Sequence, residues 1–247
     1  MKIIPLSEGA FTIDKSKLFV PFNTEEDDLQ SRPIGSLLVE VQPFLVITSE
    51  DVLLIDAGLG FEQENGQLQL LNMLAANGYQ RDDITKVLMS HLHKDHAGGI
   101  SVTNTQGQKE LTFPKATYYV QRKEFEFAKE KGRPSYIPEE LECLENAPNV
   151  VWLEGDGVID GYIRYQITAA HCPYHQVFWI VDGGETVFFG ADDAPQLHQM
   201  KSRFVAKYDY DGKKCMELRQ QWWEEGEQGK WSFLFYHDIK TPVYKFD

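Results

Sequence analysis

Apolar residues fall in short blocks divided by polar, turn-forming clusters. Leu37 to Thr48 and Val52 to Ile55 predict two strands around the turn Ser49-Glu50-Asp51. Leu68, Leu71 and Leu74 recur at spacing three, which predicts a helix from about Gln67 to Asn77 with Gly78 as its stop. Thr85 to Met89 reads as a buried strand and runs into a loop rich in His, Asp and Gly. Ala116 to Val120 predicts another strand, followed by a charged helix from about Lys123 to Lys131 that ends at Gly132. The second half is strand-rich: Val150 to Leu153, Tyr162 to Thr168, Gln176 to Val181, and Thr186 to Phe189 after the turn Asp182-Gly183-Gly184. A helix from about Lys213 to Glu225 and a last strand, Ser232 to Tyr236, complete the series. Strands and helices intermix without strict alternation, so a mixed sheet or two packed sheets fits better than a doubly wound one.

No repeat, low-complexity tract or long linker interrupts this pattern, and 247 residues suit one domain spanning 1–247. The apolar runs, such as Val52 to Ile55 and Val177 to Val181, are far short of the ~20 residues that cross a bilayer. The first eight residues carry one Lys and no long apolar stretch, so neither a membrane span nor a secretory signal is expected. A net charge of −14 disfavours nucleic acid as a partner. Cys143, Cys172 and Cys215 are odd in number and lack pair-like spacing, which points to a reducing cytoplasm rather than a disulfide framework.

Chemistry concentrates in His91-Leu92-His93-Lys94-Asp95-His96-Ala97-Gly98-Gly99, at the end of an apolar strand. His91 and His93, two apart in extended backbone, project to one side. Asp95 and His96 lie where the chain must turn, and Gly98-Gly99 is expected to permit a sharp bend behind them. For this composition, H-x-H-x-D-H arises by chance in roughly 4 of 10,000 such sequences. Imidazoles with a carboxylate suit zinc, and also manganese, iron or cobalt. One loop cannot complete two metal sites, and three further candidates each follow an apolar strand: His171, Asp192 and His237. Singly, each is an ordinary loop residue; jointly they point to ligands on a rigid scaffold.

These motifs, together with Leu54-Ile55-Asp56-Ala57-Gly58, resemble the metallo-β-lactamase fold hydrolases from Asp56 to His237. The resemblance implies an α+β fold: an αββα sandwich of two mixed sheets with helices on the outer faces. His91, His93 and His171 would hold one metal, and Asp95, His96 and His237 the other. Asp192 and a hydroxide would bridge them, with Asp56 bracing the ligand loop. Two divalent ions are implied, zinc first, with manganese, iron or cobalt possible. The sequence departs from the family at Ala169-Ala170-His171, where Pro-Gly-His is usual. His175 matches a second, structural His, and Asp193 is an alternative neighbour to Asp192.

His93 argues against the di-iron oxygen-reducing branch, and His96 with His237 argues against the single-iron persulfide dioxygenases. The nearest branch is that of N-acyl-homoserine-lactone lactonases and methyl-parathion-hydrolase-like enzymes. Tyr208-Asp209-Tyr210-Asp211, leading into a helix with Arg219, adds support. The function implied is a dinuclear hydrolase whose bridging hydroxide attacks a small ester-like substrate, a lactone first, with Asp95 and Asp192 as catalytic carboxylates. Phosphotriester, phosphodiester or thioester hydrolysis follows, then a non-hydrolytic iron-binding redox or sensor protein. The implied partner is a small molecule, with no nucleic acid or membrane, and the chain would be a monomer or homodimer.

Other features favour plainer readings. Gly58-Leu59-Gly60 lacks the third Gly of a dinucleotide fingerprint and reads as a tight turn. Lys207 and Leu218 occupy liganding positions of a would-be calcium loop around Asp209 to Gly212, which excludes one. Glu25 to Asp28 is a solvated run or part of a lid, while Leu218, Trp222 and Trp223 suggest packing. Cys172 reads as a buried bystander. Phe19 and Phe22 belong either to the substrate entrance, by resemblance, or to the core.

Overall fold

The computed structural model describes residues 1–63 and 66–246. Two six-stranded sheets dominate it. The first runs Lys2–Pro5, Phe44–Ile47, Val52–Ile55, Lys86–Leu88, Thr117–Gln121 and Val150–Leu153 from edge to edge. The second runs Gly157–Ile159, Ile163–Ile167, Gln176–Asp182, Glu185–Phe189, Ser232–Leu234 and Val243–Lys245. A three-stranded sheet of Phe19–Pro21, Gly9–Ile13 and Leu37–Val41 stands beside them, with a small hairpin of Ser101–Thr103 and Lys109–Leu111.

The two large sheets pack face to face because their strands are apolar on both sides. Leu53 and Ile55 meet Phe178, Ile180, Val187 and Phe189 between the sheets. Leu54, pointing the opposite way, joins Leu70, Leu74, Leu141 and Leu144 from the helices Gln69–Ala76 and Pro138–Glu145. On the far side, Val177, Trp179 and Phe188 pack against Trp222 of helix Gly212–Gly229. The alternation has period two, yet both faces of the central strands are buried, Leu53 to Ile55 and Gln176 to Ile180 among them, so these strands read as continuous apolar runs. Helices therefore cover both outer faces, and the architecture is the mixed αββα sandwich. Among the described residues, no helix is long and apolar enough to cross a membrane.

Strand direction collects the functional loops at one edge. Val52–Ile55, Lys86–Leu88 and Thr117–Gln121 are parallel, so the segments after Ile55 and Leu88 leave on the same side. In the second sheet Glu185–Phe189 and Ser232–Leu234 are parallel, and two antiparallel steps give Ile163–Ile167 the same direction. Asp56, His91, His171, Asp192 and His237 thus follow strands that end at a common rim.

Several expectations need correction. The stretch from Leu37 to Thr48 is two strands in different sheets, Leu37–Val41 and Phe44–Ile47, broken at Gln42-Pro43. Pro43 has no N–H to donate, and the Gln42 amide donates to the carbonyls of Phe235 (2.8 Å) and Asp238 (2.9 Å), pinning the corner. The last strand is Val243–Lys245, an edge partner of Ser232–Leu234, whose brevity hid it. Helix Pro138–Glu145 and the N-terminal strands were not anticipated. The helix did carry a signal in Pro138 at its first turn, followed by Glu139 and Glu140.

Gly98 does not supply an unusual bend; its φ is −61°. A Cβ there would stand 2.1 Å from the Leu59 carbonyl oxygen, and one on Gly99 would stand 2.2 Å from that of Ala57. The pair is glycine because the turn Ala57 to Gly60 packs directly against it.

Far from the rim, Asp51 gathers the Lys86 ammonium, the Tyr162 hydroxyl and the Thr85 hydroxyl. Burial works against its charge, but these donors hold its carboxyl below the usual range. A depressed carboxylate stabilises the fold above its unfolded pKa, and that contribution is lost as pH falls through the folded value. Asp51→Asn is therefore expected to cost about 1 kcal/mol in urea unfolding at pH 7, with the gap closing below about pH 4.

Candidate metal centre

At the rim the chain is held in place before any ion is considered. Asp56 adopts φ +56°, a left-handed conformation costing an L residue roughly 1–2 kcal/mol. Its carboxylate accepts from the Ser90 N–H (2.7 Å), the Ser90 hydroxyl (2.7 Å) and His96 Nδ1 (2.8 Å). The buried Glu124 carboxylate accepts from the Leu92 N–H at 3.0 Å, fixing the chain between His91 and His93. Tyr236 donates to the Asp95 carbonyl at 2.6 Å and stacks on the His96 ring with centroids 4.0 Å apart.

The donor atoms of seven side chains converge in two sets. His91, His93, His171 and Asp192 form one, and Asp95, His96 and His237 form the other. In the first, His93 Nδ1 lies 2.9 Å from His91 Nε2 and 3.2 Å from His171 Nε2, and Asp192 Oδ2 lies 3.1 Å from His171 Nε2. In the second, Asp95 Oδ2 lies 3.7 Å from His96 Nε2 and 3.6 Å from His237 Nε2. Asp192 joins the two: its Oδ1 is 3.2 Å from His96 Nε2 and 3.0 Å from His237 Nε2.

Outward-facing nitrogens decide what the inward ones offer. His96 Nδ1 meets Asp56, His171 Nδ1 meets Asp209 at 2.8 Å, and His237 Nδ1 meets the Glu40 carbonyl at 2.6 Å. These oxygens only accept, so Nδ1 carries a proton, and in the neutral ring Nε2 presents a lone pair to the centre. Ser90 spends its hydroxyl proton on Asp56 and therefore accepts from His91 Nδ1 at 3.0 Å, which fixes the same tautomer.

The remaining candidates sit behind this shell. Asp193 accepts from the His171 N–H at 2.8 Å and lies 3.1 Å from His175 Nδ1, while Arg219 donates to its carbonyl at 2.8 Å. His175 is fully buried and meets the Thr168 hydroxyl at 3.2 Å. Asp192 thus faces the centre and Asp193 faces away. The contact of Asp209 with His171 spans 38 residues and had no local signal beyond the polar run that contains it. Cys172 is buried 3.7 Å from Glu124, and burial pushes its thiol well up.

The electrostatics divide the imidazoles into two groups. Burial, then His96 and His93, press the proton affinity of His91 well down. Burial, then His171, does the same for His93. Burial also opposes charge on His96, His171 and His237, but Asp192 leads the groups that outweigh it and raise all three. Glu8, buried behind Gly58, is pushed up to about 7 chiefly by burial, although it accepts from the Leu59 N–H at 2.5 Å.

A cavity of about 430 Å³ opens over the two sets, walled on one side by Ile13, Phe19, Leu37 and Val39. Phe19 belongs to it. Phe22 does not; it lines a second cavity with Phe11 and Phe61. Glu25 to Asp28 are exposed, and none lines the cavity over the centre. Trp222 packs on Phe188 with centroids 4.8 Å apart, and Trp223 packs on Phe246 at 4.7 Å.

Comparison with known proteins adds a family. The model of the Metallo-beta-lactamase superfamily matches residues 39–212. N-acyl homoserine lactonase AiiA of Bacillus thuringiensis subsp. kurstaki is 30% identical over 166 residues, covering 59% of this chain and 60% of that protein. The chain thus spans about three-fifths of the length of these curated relatives. Among solved structures, AidC, a dizinc quorum-quenching lactonase in complex with a product, superposes with a TM-score of 0.71 at 20% identity, covering 98% of this chain and 88% of that one. AbOPH, a hydrolase in the beta lactamase superfamily, gives 0.74 at 21% identity, covering 99% and 90%. At these identities the structural likenesses carry the fold.

Proposed function

This chain belongs to the metallo-β-lactamase superfamily, and from that premise we propose that it is a dinuclear metal-dependent hydrolase of small ester-like substrates, with lactones favoured. The observation that carries the reading is Asp192, whose two oxygens are divided between two otherwise separate donor sets.

The residues fit cations on physical grounds. Nitrogen and oxygen atoms bound ~2.0–2.1 Å from one zinc ion at tetrahedral angles lie about 3.3 Å apart, and the observed separations bracket that value. His96 Nε2 and Asp192 Oδ1 are buried without a hydrogen-bond partner, a costly arrangement for polar atoms unless an ion satisfies them. His91, His93, His171 and Asp192 Oδ2 would hold one ion, and Asp95, His96, His237 and Asp192 Oδ1 the other. Imidazole with carboxylate suits zinc first, then manganese, iron or cobalt. When bound, such a pair supplies a Lewis acid for the substrate oxygen and lowers the pKa of a shared water towards ~7.

The chain's own residues supply the rest. Asp56, Asp209 and the Glu40 carbonyl lock the imidazoles in the liganding tautomer, so little reorganisation is left for the reaction. The apolar wall of Ile13, Phe19, Leu37 and Val39 takes the acyl portion and excludes water from it. Asp95 borders the cavity and is placed to take the proton of the attacking hydroxyl and deliver it to the departing alkoxide as the ester bond breaks. Cys172 and Cys215 are buried with raised thiol pKa values, so neither serves as a nucleophile. Curated relatives that bear the lactonase name favour lactones over phosphotriesters and thioesters.

The test is a pH-stat comparison of zinc-loaded protein on N-acyl homoserine lactones, an aryl phosphotriester and an acyl thioester. The expected result is a kcat/KM for lactone opening at least about tenfold above the other two, equivalent to ~1.4 kcal/mol of transition-state preference. Inert lactones with phosphotriester turnover would move the enzyme to that alternative.

A further inference from the structure

Three lysines and three aspartates line the cavity over the metal centre. The net charge is −14, yet Lys15, Lys17 and Lys94 all line this one cavity. Among the described residues none of the three forms an ion pair. The Lys94 ammonium donates to the backbone carbonyl of Lys17 and lies 5.6 Å over the Phe19 ring. Of the three aspartates, Asp95 and Asp192 belong to the donor sets, and Asp14 accepts from the Ser16 N–H at 2.8 Å and the Ser16 hydroxyl at 2.5 Å, within its own turn. That turn is closed by the Lys17 N–H donating to the Asp14 carbonyl at 3.0 Å, and it holds Lys17 at φ +60°, where L residues are uncommon.

We propose that Lys94 and Lys17 form an anion subsite within this cavity, and that the preferred substrates are esters or lactones bearing a carboxylate beyond the reacting carbonyl. The proposal deepens the hydrolase reading above and rests on it. Lys94 lies between His93 and Asp95, so its backbone is fixed to the donor loop and its reach sets the distance from anion to reacting bond. An ammonium is a compact point charge with rotatable donors, which suits a single carboxylate better than a fork-demanding phosphate. The half-buried Lys94 is screened less than a surface lysine, so its attraction for an anion survives in the cavity. The apolar wall spans the gap: Ile13, Leu37 and Val39 face the chain that would join the two polar ends. Both lysines are specificity residues and take no part in bond breaking.

Matched aryl esters test this directly. Zinc-loaded protein is assayed at low salt on 4-nitrophenyl hexanoate and on its carboxylated counterpart, mono-4-nitrophenyl adipate. The expected kcat/KM favours the adipate by about tenfold, and the preference shrinks as sodium chloride is raised. Lys94→Met keeps the apolar stem over Phe19 and is expected to lower adipate kcat/KM about tenfold more than hexanoate kcat/KM, through KM. Lys17→Asn, which tolerates the left-handed backbone, should reduce the preference in the same direction. No preference in the wild type, or equal losses on both esters in Lys94→Met, would overturn the subsite. If neither these esters nor the lactones, phosphotriester and thioester above are hydrolysed, the hydrolase reading fails, and calorimetric titration with adipate still decides the subsite. Binding weakened about tenfold by Lys94→Met upholds it, and binding equal in both proteins refutes it.

Discussion

Asp192→Ala is expected to cut hydrolysis by about 10³-fold or more, read as kcat/KM on the best lactone or ester. The size follows from the number of tasks on one carboxylate. Asp192 is the only side chain of the seven with one oxygen against each donor set. It is also the negative charge that His237, His96 and His171 face, and these hold its carboxyl well below the usual range although burial opposes ionisation. Removing it would leave the two donor sets without the carboxylate that joins them and any cations they hold with less anionic charge between them. Metal analysis of the same variant should show occupancy falling with activity. Full activity in Asp192→Ala would place the reacting centre elsewhere. Asp193→Ala provides the contrast, because Asp193 turns to the His171 N–H and His175 and should act through stability and ligand placement.

Gly98→Ala is expected to destabilise the protein by roughly 4 kcal/mol in urea unfolding, at the upper end of overpacking effects, and to weaken metal binding with it. Its φ of −61° would accept alanine, so the cost is purely one of space. The new methyl would meet the Leu59 carbonyl oxygen at 2.1 Å and the Gly60 nitrogen at 2.9 Å, both backbone atoms of a turn that cannot swing aside. That turn is held by Glu8 through the Leu59 N–H and by the Gly98 N–H donating to the Gly58 carbonyl at 2.8 Å. Prying it away displaces Asp56, two residues before Gly58, and with it the brace on Ser90 and His96. A variant with unchanged urea midpoint and unchanged zinc affinity would show that the close approach is dispensable.

These residues also show how far sequence reasoning reaches. His91, His93, Asp95 and His96 stand out because four donors crowd one short loop after an apolar strand. His171, Asp192 and His237 become visible only through repetition of that placement. The parallel and twice-antiparallel strand directions explain why such positions meet at one rim. What lies behind them is harder to read. Asp209 reaches His171 across 38 residues, and Glu124 supports Leu92 from the start of another helix, so neither contact leaves a local trace. The stretch from Leu37 reads as one strand because Glu40 and Gln42 alternate with apolar residues as in a half-buried strand, and only Pro43 marks the change of sheet. Gly98-Gly99 stands out in the sequence as a pair, but its role is close approach rather than conformational freedom, and a missing Cβ matters only against a particular neighbour. The edge strand Val243–Lys245 is too short and too polar at its end to rise above its surroundings.

In the reading proposed above, seven side chains, Asp192 among them, hold two cations. Elemental analysis of protein purified without chelator, with the chain quantified by amino-acid analysis, tests it most directly. The account predicts two divalent ions per chain, zinc foremost, falling to one or none when Asp192 is replaced by alanine. Stoichiometric occupancy by a single ion, unchanged by that substitution, would contradict it.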